Sequence, residues 1–168
     1  FFTPSGALDL KDEGAKRFSK EGLKRSITFE FMTRDELRSI AQNPLFTIGG
    51  HTMHHTNVAT LDEKGLEEEV AEDKRVLEGI IGKEIQWFAY PFGGVTNISA
   101  SAVQKIDESG YIHAFSIIPA FWKKKDHPYI VGRDSLSVTD SDELWGAWLL
   151  GGYDALSAIK NETRMRLL

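Results

Sequence analysis

The sequence contains no cysteine. A disulfide framework and a thiolate zinc cluster are therefore excluded, and any metal must be held by His, Asp, Glu or carbonyl oxygen. No apolar run approaches the roughly 20 residues that cross a bilayer, and the opening residues carry no basic-plus-apolar signal pattern. A long basic cluster is missing too. Lys123, Lys124 and Lys125 form the only run of cations, which reads as solvated loop, and the net charge of −5 argues against a nucleic-acid partner. The chain also lacks an initial Met and opens on Phe1-Phe2-Thr3 as though within a strand. The expectation is that these residues belong to a longer gene product.

What is present is globular: 41% apolar and 27% charged residues, with 10 Phe, 4 Trp and 4 Tyr, in 168 residues that fit one domain. "FFT" reads as the end of a buried strand and Pro4-Ser5-Gly6 as the turn out of it. Leu8 to Ser26 is charged and weakly periodic, which reads as a loop with room for a short helix. "TRDELRSIAQNP" carries a capping box in Thr33 and Glu36, an apolar face of Leu37, Ile40 and Ala41, and Pro44 as the stop. "LFTIGG" reads as a short buried strand leading into His51.

"TLDEKGLEEEVAEDKRVLEGIIG" repeats the capping logic with Thr60 and Glu63, has Leu66, Val70, Val76, Leu77, Ile80 and Ile81 at mostly helical spacing, and closes at Gly82. "IQWFAYPFGG" is a strand running into a turn, "SASAVQKIDESG" a helix closed by Gly110, and "YIHAFSII" another strand. "YIVGRDSLSV" predicts one more strand. "DSDELWGAWLLGGYDALSAIK" predicts one or two terminal helices, with Trp145, Trp148 and Leu149 as core. The alternation implies α/β architecture with parallel strands, an open sheet or a closed barrel, with ligand sites at the carboxyl ends of the strands.

Three of the five histidines fall in "HTMHH". His51 and His55, four apart, share a face in a helical turn and can bind one ion, although a solvated loop would show the same residues. His54 diverges from that pair. The Gly49-Gly50 approach and the following helix place the pair where α/β folds keep their chemistry. "FAYPFGG" ends a second strand, so its backbone N–H groups are without ladder partners and can meet an oxyanion, or simply form a turn. Arg133, followed by Asp134, is either the partner that orients a catalytic acid or half of a surface ion pair. His113 reads as a core histidine and His127 as loop.

In this order the motifs resemble the polysaccharide deacetylases, carbohydrate esterase family 4, the NodB-homology domain. "HTMHH" is similar to the family's His-Ser/Thr-x-x-His metal motif, "FAYPFG" to its Pro-containing turn, and "MTRDELRSIAQNPLFTIGGHT" to its approach to the metal motif. The resemblance runs from Phe1 to about Val138. It implies a distorted, incomplete (β/α) barrel as one deacetylase-like domain over residues 1–168, a divalent metal, commonly zinc, held by His51, His55 and an Asp, and hydrolysis of the acetamide of an N-acetylated sugar.

The resemblance gives the Phe92 N–H the oxyanion and gives Arg133 contact with the base, because Ala89 stands where many members carry an Arg. Pro91, Phe92, Gly93 and Trp122 would bind substrate. The family's Asp-Asp motif, which supplies the base and the third ligand, has no match in these residues. The expectation is that it belongs to a segment upstream of "FFT"; the alternative is a domain that has lost it. The general acid is unassigned between His113 and His127. The implied substrate is an acetylated glycan of cell wall, capsule or export, and the implied location is extracytoplasmic. A carbohydrate-binding or interaction module without activity, and an amidase acting on a non-sugar amide, are the competing readings.

Overall fold

The structure, a computed structural model, describes residues 1–26, 30–119, 127–133 and 141–150. Four short parallel strands lie side by side in chain order: β1 (Phe2–Thr3), β2 (Gly49–Gly50), β3 (Trp87–Ala89) and β4 (His113–Phe115). The register pairs Thr3 with Gly50, Gly50 with Phe88, and Ala89 with Phe115. Sequential order without a reversal is the order of a (β/α) barrel, whereas a doubly wound sheet turns back at a switch point. The described strands form an incomplete version of that barrel, which a single parallel bridge from Phe115 to Val131 extends.

Helices α1 (Asp12–Glu21) and α2 (Arg34–Gln42) connect β1 to β2. Helix α3 (Glu63–Leu66), a π-helical turn (Glu67–Glu72) and helix α4 (Asp73–Ile81) connect β2 to β3. Helix α5 (Ala100–Glu108) connects β3 to β4, and α6 (Asp142–Leu149) stands near the end of the described residues. The helices and sheet share one core, in which Leu37, Leu66, Val70, Leu77, Ile85, Phe88 and Ile106 are fully enclosed. No described helix is long and apolar enough to cross a membrane.

The start of α2 follows from sequence. Thr33 Oγ1 accepts from Glu36 N at 3.2 Å while Glu36 Oε2 accepts from Thr33 N at 2.8 Å, so two orphan donors are satisfied reciprocally. The long helix after the histidines ends at Gly82 with φ 69°, and α5 is followed by Gly110 with φ 80°, as the glycine stops predict.

Several expectations are corrected. The cap of α3 is Asp62, whose Oδ1 accepts from Gly65 N at 2.8 Å; Thr60 instead closes a 3-10 turn, Val58–Thr60. Within residues 8–26 the helix is longer than expected, the ten-residue α1 flanked by loop, which buries Ala15 and Phe18 and sets Phe18 edge-on to Phe31 at 5.3 Å. "LFTIGG" narrows to two strand residues. The side chain and carbonyl of Asn43 take the N–H groups of Leu45 and Phe46 into a turn, leaving Leu45 86% and Phe46 51% exposed. Leu149 is 72% exposed and Trp145 is half-buried, so neither is core as expected, and the Trp148 side chain lies outside the described residues. Of "YIVGRDSLSV" only the Val131 bridge is strand-like, and residues 134–140 lie outside the described residues.

Candidate metal and deacetylase site

The carboxyl ends of β1, β2 and β3 deliver Pro4–Gly6, His51 and Tyr90–Gly93 to one end of the sheet. β2 is made of glycine because its neighbours come close. A Cβ at Gly49 would lie 2.5 Å from the Phe2 ring and 2.7 Å from the Trp87 carbonyl oxygen, and one at Gly50 would collide with the Tyr111 hydroxyl. The next residue is His51.

His51 and His55 stand side by side, their rings 4.8 Å apart and edge to face. Nδ1 of His51 lies 2.7 Å from the Ala89 carbonyl oxygen, and Nδ1 of His55 lies 3.0 Å from that of Gly22. A carbonyl can only accept, so both rings carry the proton on Nδ1 and leave the Nε2 lone pair free, the arrangement seen in metal-ligating histidines. Burial is the main reason that the His51 pKa falls to about 4, aided by nearby His55 and Arg133; burial also lowers that of His55. Both rings are neutral at pH 7, the form a metal needs.

The loop that carries them is strained. Thr52 has φ 61° and His55 φ 58°, left-handed values that cost a non-glycine residue roughly 1–3 kcal/mol each. Hydrogen bonds hold it in place. The fully buried Thr52 Oγ1 accepts from Thr56 N at 3.0 Å. Asp73, also fully buried, accepts from Ser5 N at 2.9 Å and His51 N at 3.3 Å. Burial pushes the Asp73 carboxyl up to about 6, against those hydrogen bonds. Glu69 accepts from both His54 N and His54 Nδ1 at 2.9 Å, so His54 faces away from the pair, as expected.

The Pro turn closes the other side. Pro91 is enclosed, and the Phe92 ring lies edge-on to His55 at 4.9 Å, with φ 62° at Phe92 and 53° at Gly93. Gly93 N donates to Pro91 O at 2.7 Å and Gly94 N to Asn97 Oδ1 at 3.2 Å. The Phe92 N–H is left without an acceptor among the described residues. A cleft of about 960 Å³ opens here, lined by Phe18, Gly22, His54, His55, Asn57 and Phe92 among others.

Arg133 is half-buried. Its Nε donates to Ser116 O at 3.0 Å, and its guanidinium lies over Phe2 and Phe115, 5.3 and 5.7 Å from their centroids. It has no carboxylate partner among the described residues, and Asp134 and Trp122 lie outside them. His113 starts β4, with its ring against Trp87 at 5.3 Å, and His127 is exposed beside Tyr129; neither is among the residues that form this site. Among the described residues no group of three His, Cys, Asp or Glu side chains is placed to hold a metal.

Sequence reasoning missed Ala89 and Gly22, whose contribution is a carbonyl and leaves no mark in residue type. It also missed Glu69 and Asp73, for which a signal exists: both interrupt the apolar stripe of Leu66, Val70 and Leu77 with a carboxylate.

A partial barrel thus brings two oriented imidazoles and an uncommitted backbone N–H together at the carboxyl ends of its strands. Residues 14–111, more than half of the chain, match the polysaccharide deacetylase family, and the chain belongs to it. The fold is shared with solved structures, among them these three. The polysaccharide deacetylase BC0361 from Bacillus cereus matches 87% of this chain and 49% of its own length, with a TM-score of 0.62 and 19% identity. The Streptococcus pyogenes deacetylase PplD in complex with acetate matches 73% and 52%, with 0.62 and 16%. IcaB from Ammonifex degensii matches 82% and 57%, with 0.55 and 19%. The chain thus spans about half the length of these solved relatives. No protein with a curated description matches it.

Proposed function

We propose that this chain belongs to a metal-dependent hydrolase that removes N-acetyl groups from N-acetylhexosamine units of a cell-wall, capsular or exported glycan, and that acts outside the cytoplasm. The observation that carries the proposal is the pair of neighbouring rings, His51 and His55, with both Nδ1 atoms tied to carbonyls. The pair fits two places of a divalent-metal site, zinc being the natural occupant of imidazole ligands, and a catalytic zinc takes three protein ligands. The reading requires a third ligand and a base, the roles of the family's Asp-Asp motif, which has no match in this sequence.

Bound there, the ion would polarise the acetamide carbonyl and acidify a water. The chain's own residues do the rest. The Phe92 N–H donates to the oxygen that gains charge as the carbonyl becomes tetrahedral. The Phe92 ring, with Pro91 and Gly93 fixing its turn, forms one wall for the sugar, and Trp122 adds an aromatic surface. Arg133, cationic and without a carboxylate partner among the described residues, holds the base in its ionised form. Acetate and a free amine result, and acetate is the molecule bound in the Streptococcus relative.

The absence of a third ligand among the described residues favours a second reading, a carbohydrate-binding module without activity. Metal analysis of the purified intact protein tests the site. The expected result is about one divalent ion per chain, lost in His51→Ala and in His55→Ala. Unchanged metal content in both variants would sink the assignment.

A further inference from the structure

The histidine loop has no regular structure of its own, yet it must keep two rings aimed at one point with two non-glycine residues at positive φ. Besides Thr52 Oγ1 within the loop and Gly6 N from the β1 exit, the groups that hold its backbone come from one helix. Glu69 and Asp73 lie four residues apart, on the face of the helix toward the loop, with Glu69 inside the π-helical turn Glu67–Glu72 and Asp73 immediately after it. The two carboxylates accept from the loop's N–H groups at both ends: His51 N to Asp73 Oδ2 and His54 N to Glu69 Oε2. Between them, Met53 N donates to the backbone oxygen of Glu69 at 3.1 Å. Asp73 Oδ1 also accepts from Ser5 N, which ties the exit of β1 to the same anchor.

We infer that Glu69 and Asp73 are positioning residues, a carboxylate clamp that fixes the backbone at His51 and at His54, next to His55, so that His51 and His55 converge. This inference rests on the metal-site reading above. Three features separate the clamp from ordinary helix packing. Both carboxylates are withdrawn from solvent, Glu69 to 9% exposure and Asp73 entirely, a costly place for acids unless hydrogen bonds use them. Hydrogen bonds from N–H groups to ionised oxygens are roughly twice as strong as neutral ones, so they can hold a strained loop. A π turn shifts every later side chain on the helix relative to an unbroken α-helix, and such turns recur at functional sites. Here the shift falls between the residues that hold the loop.

The test loads the intact protein with Co²⁺ alone and measures the dissociation constant and the visible ligand-field spectrum in the parent, Glu69→Ala and Glu69→Asp, with circular dichroism as the control for folding. Loss of an outer-shell partner typically weakens metal binding by about 10–100-fold. That loss is expected in Glu69→Ala, together with a changed spectrum. Glu69→Asp, which keeps the charge but draws it back by one methylene, should fall between the two. A purely structural role would lower the melting temperature and leave the affinity and spectrum of the folded fraction untouched. Parent-like affinity and spectrum in whichever of the two variants folds would overturn the clamp. A parent protein that binds no Co²⁺ would overturn the metal-site reading as well, and the two failures are thereby distinguished.

Discussion

At the scale of single residues, the site depends on main-chain geometry that residue types do not announce. "HTMHH" suffices to nominate His51 and His55, because four-residue spacing and imidazole chemistry are both visible in letters. It does not show that Thr52 and His55 adopt left-handed φ, or that the ring tautomers are set by the carbonyls of Ala89 and Gly22. Thr52 tests this level directly. Valine at this position keeps the β-branched shape and its backbone cost but removes the oxygen that accepts from Thr56 N, leaving that N–H unsatisfied. Thr52→Val should cost about 1–3 kcal/mol in denaturant unfolding. A change within about 0.5 kcal/mol, the usual surface range, would mean that the hydroxyl does not hold the loop.

Elements were legible where local chemistry decides them and obscure where tertiary contact does. The Thr33–Glu36 box and the stops at Gly82 and Gly110 are properties of a few neighbouring residues, and the structure has them. α1 hides in its sequence because Gly14 and six charged residues dilute its apolar face to Ala15 and Phe18. β2 is shorter than its sequence suggests because Leu45 and Phe46 look like strand core, while Asn43 turns them outward. Two glycines separate these effects by experiment. A Cβ at Gly49 meets the Phe2 ring and the Trp87 backbone, so Gly49→Ala should destabilise by about 1–3 kcal/mol. Gly79, inside α4, has nothing within 4 Å of its would-be Cβ, so Gly79→Ala should stabilise by about 0.5–1 kcal/mol. Equal effects at the two positions, read from chemical denaturation, would contradict the packing described for β2.

For the whole molecule, strand order and site location follow from one arrangement. Parallel strands in chain order place every strand-to-helix turn at the same end, so the chemistry of "HTMHH" meets that of "FAYPFGG" although 36 residues separate the histidine at 55 from the proline at 91. Sequence alternation predicted that meeting, and family membership agrees with it. What alternation could not supply is the complete ligand set, since a metal site is assembled from distant segments and the described residues provide two imidazoles, one N–H and a guanidinium with no carboxylate partner among them. The most direct measurement of the central claim is acetate released from an N-acetylated oligosaccharide by the intact protein, before and after chelation and again after zinc is restored. The account predicts release that chelation abolishes and zinc returns, and that His55→Ala lacks throughout. Release that survives chelation, or that persists in His55→Ala, would contradict it.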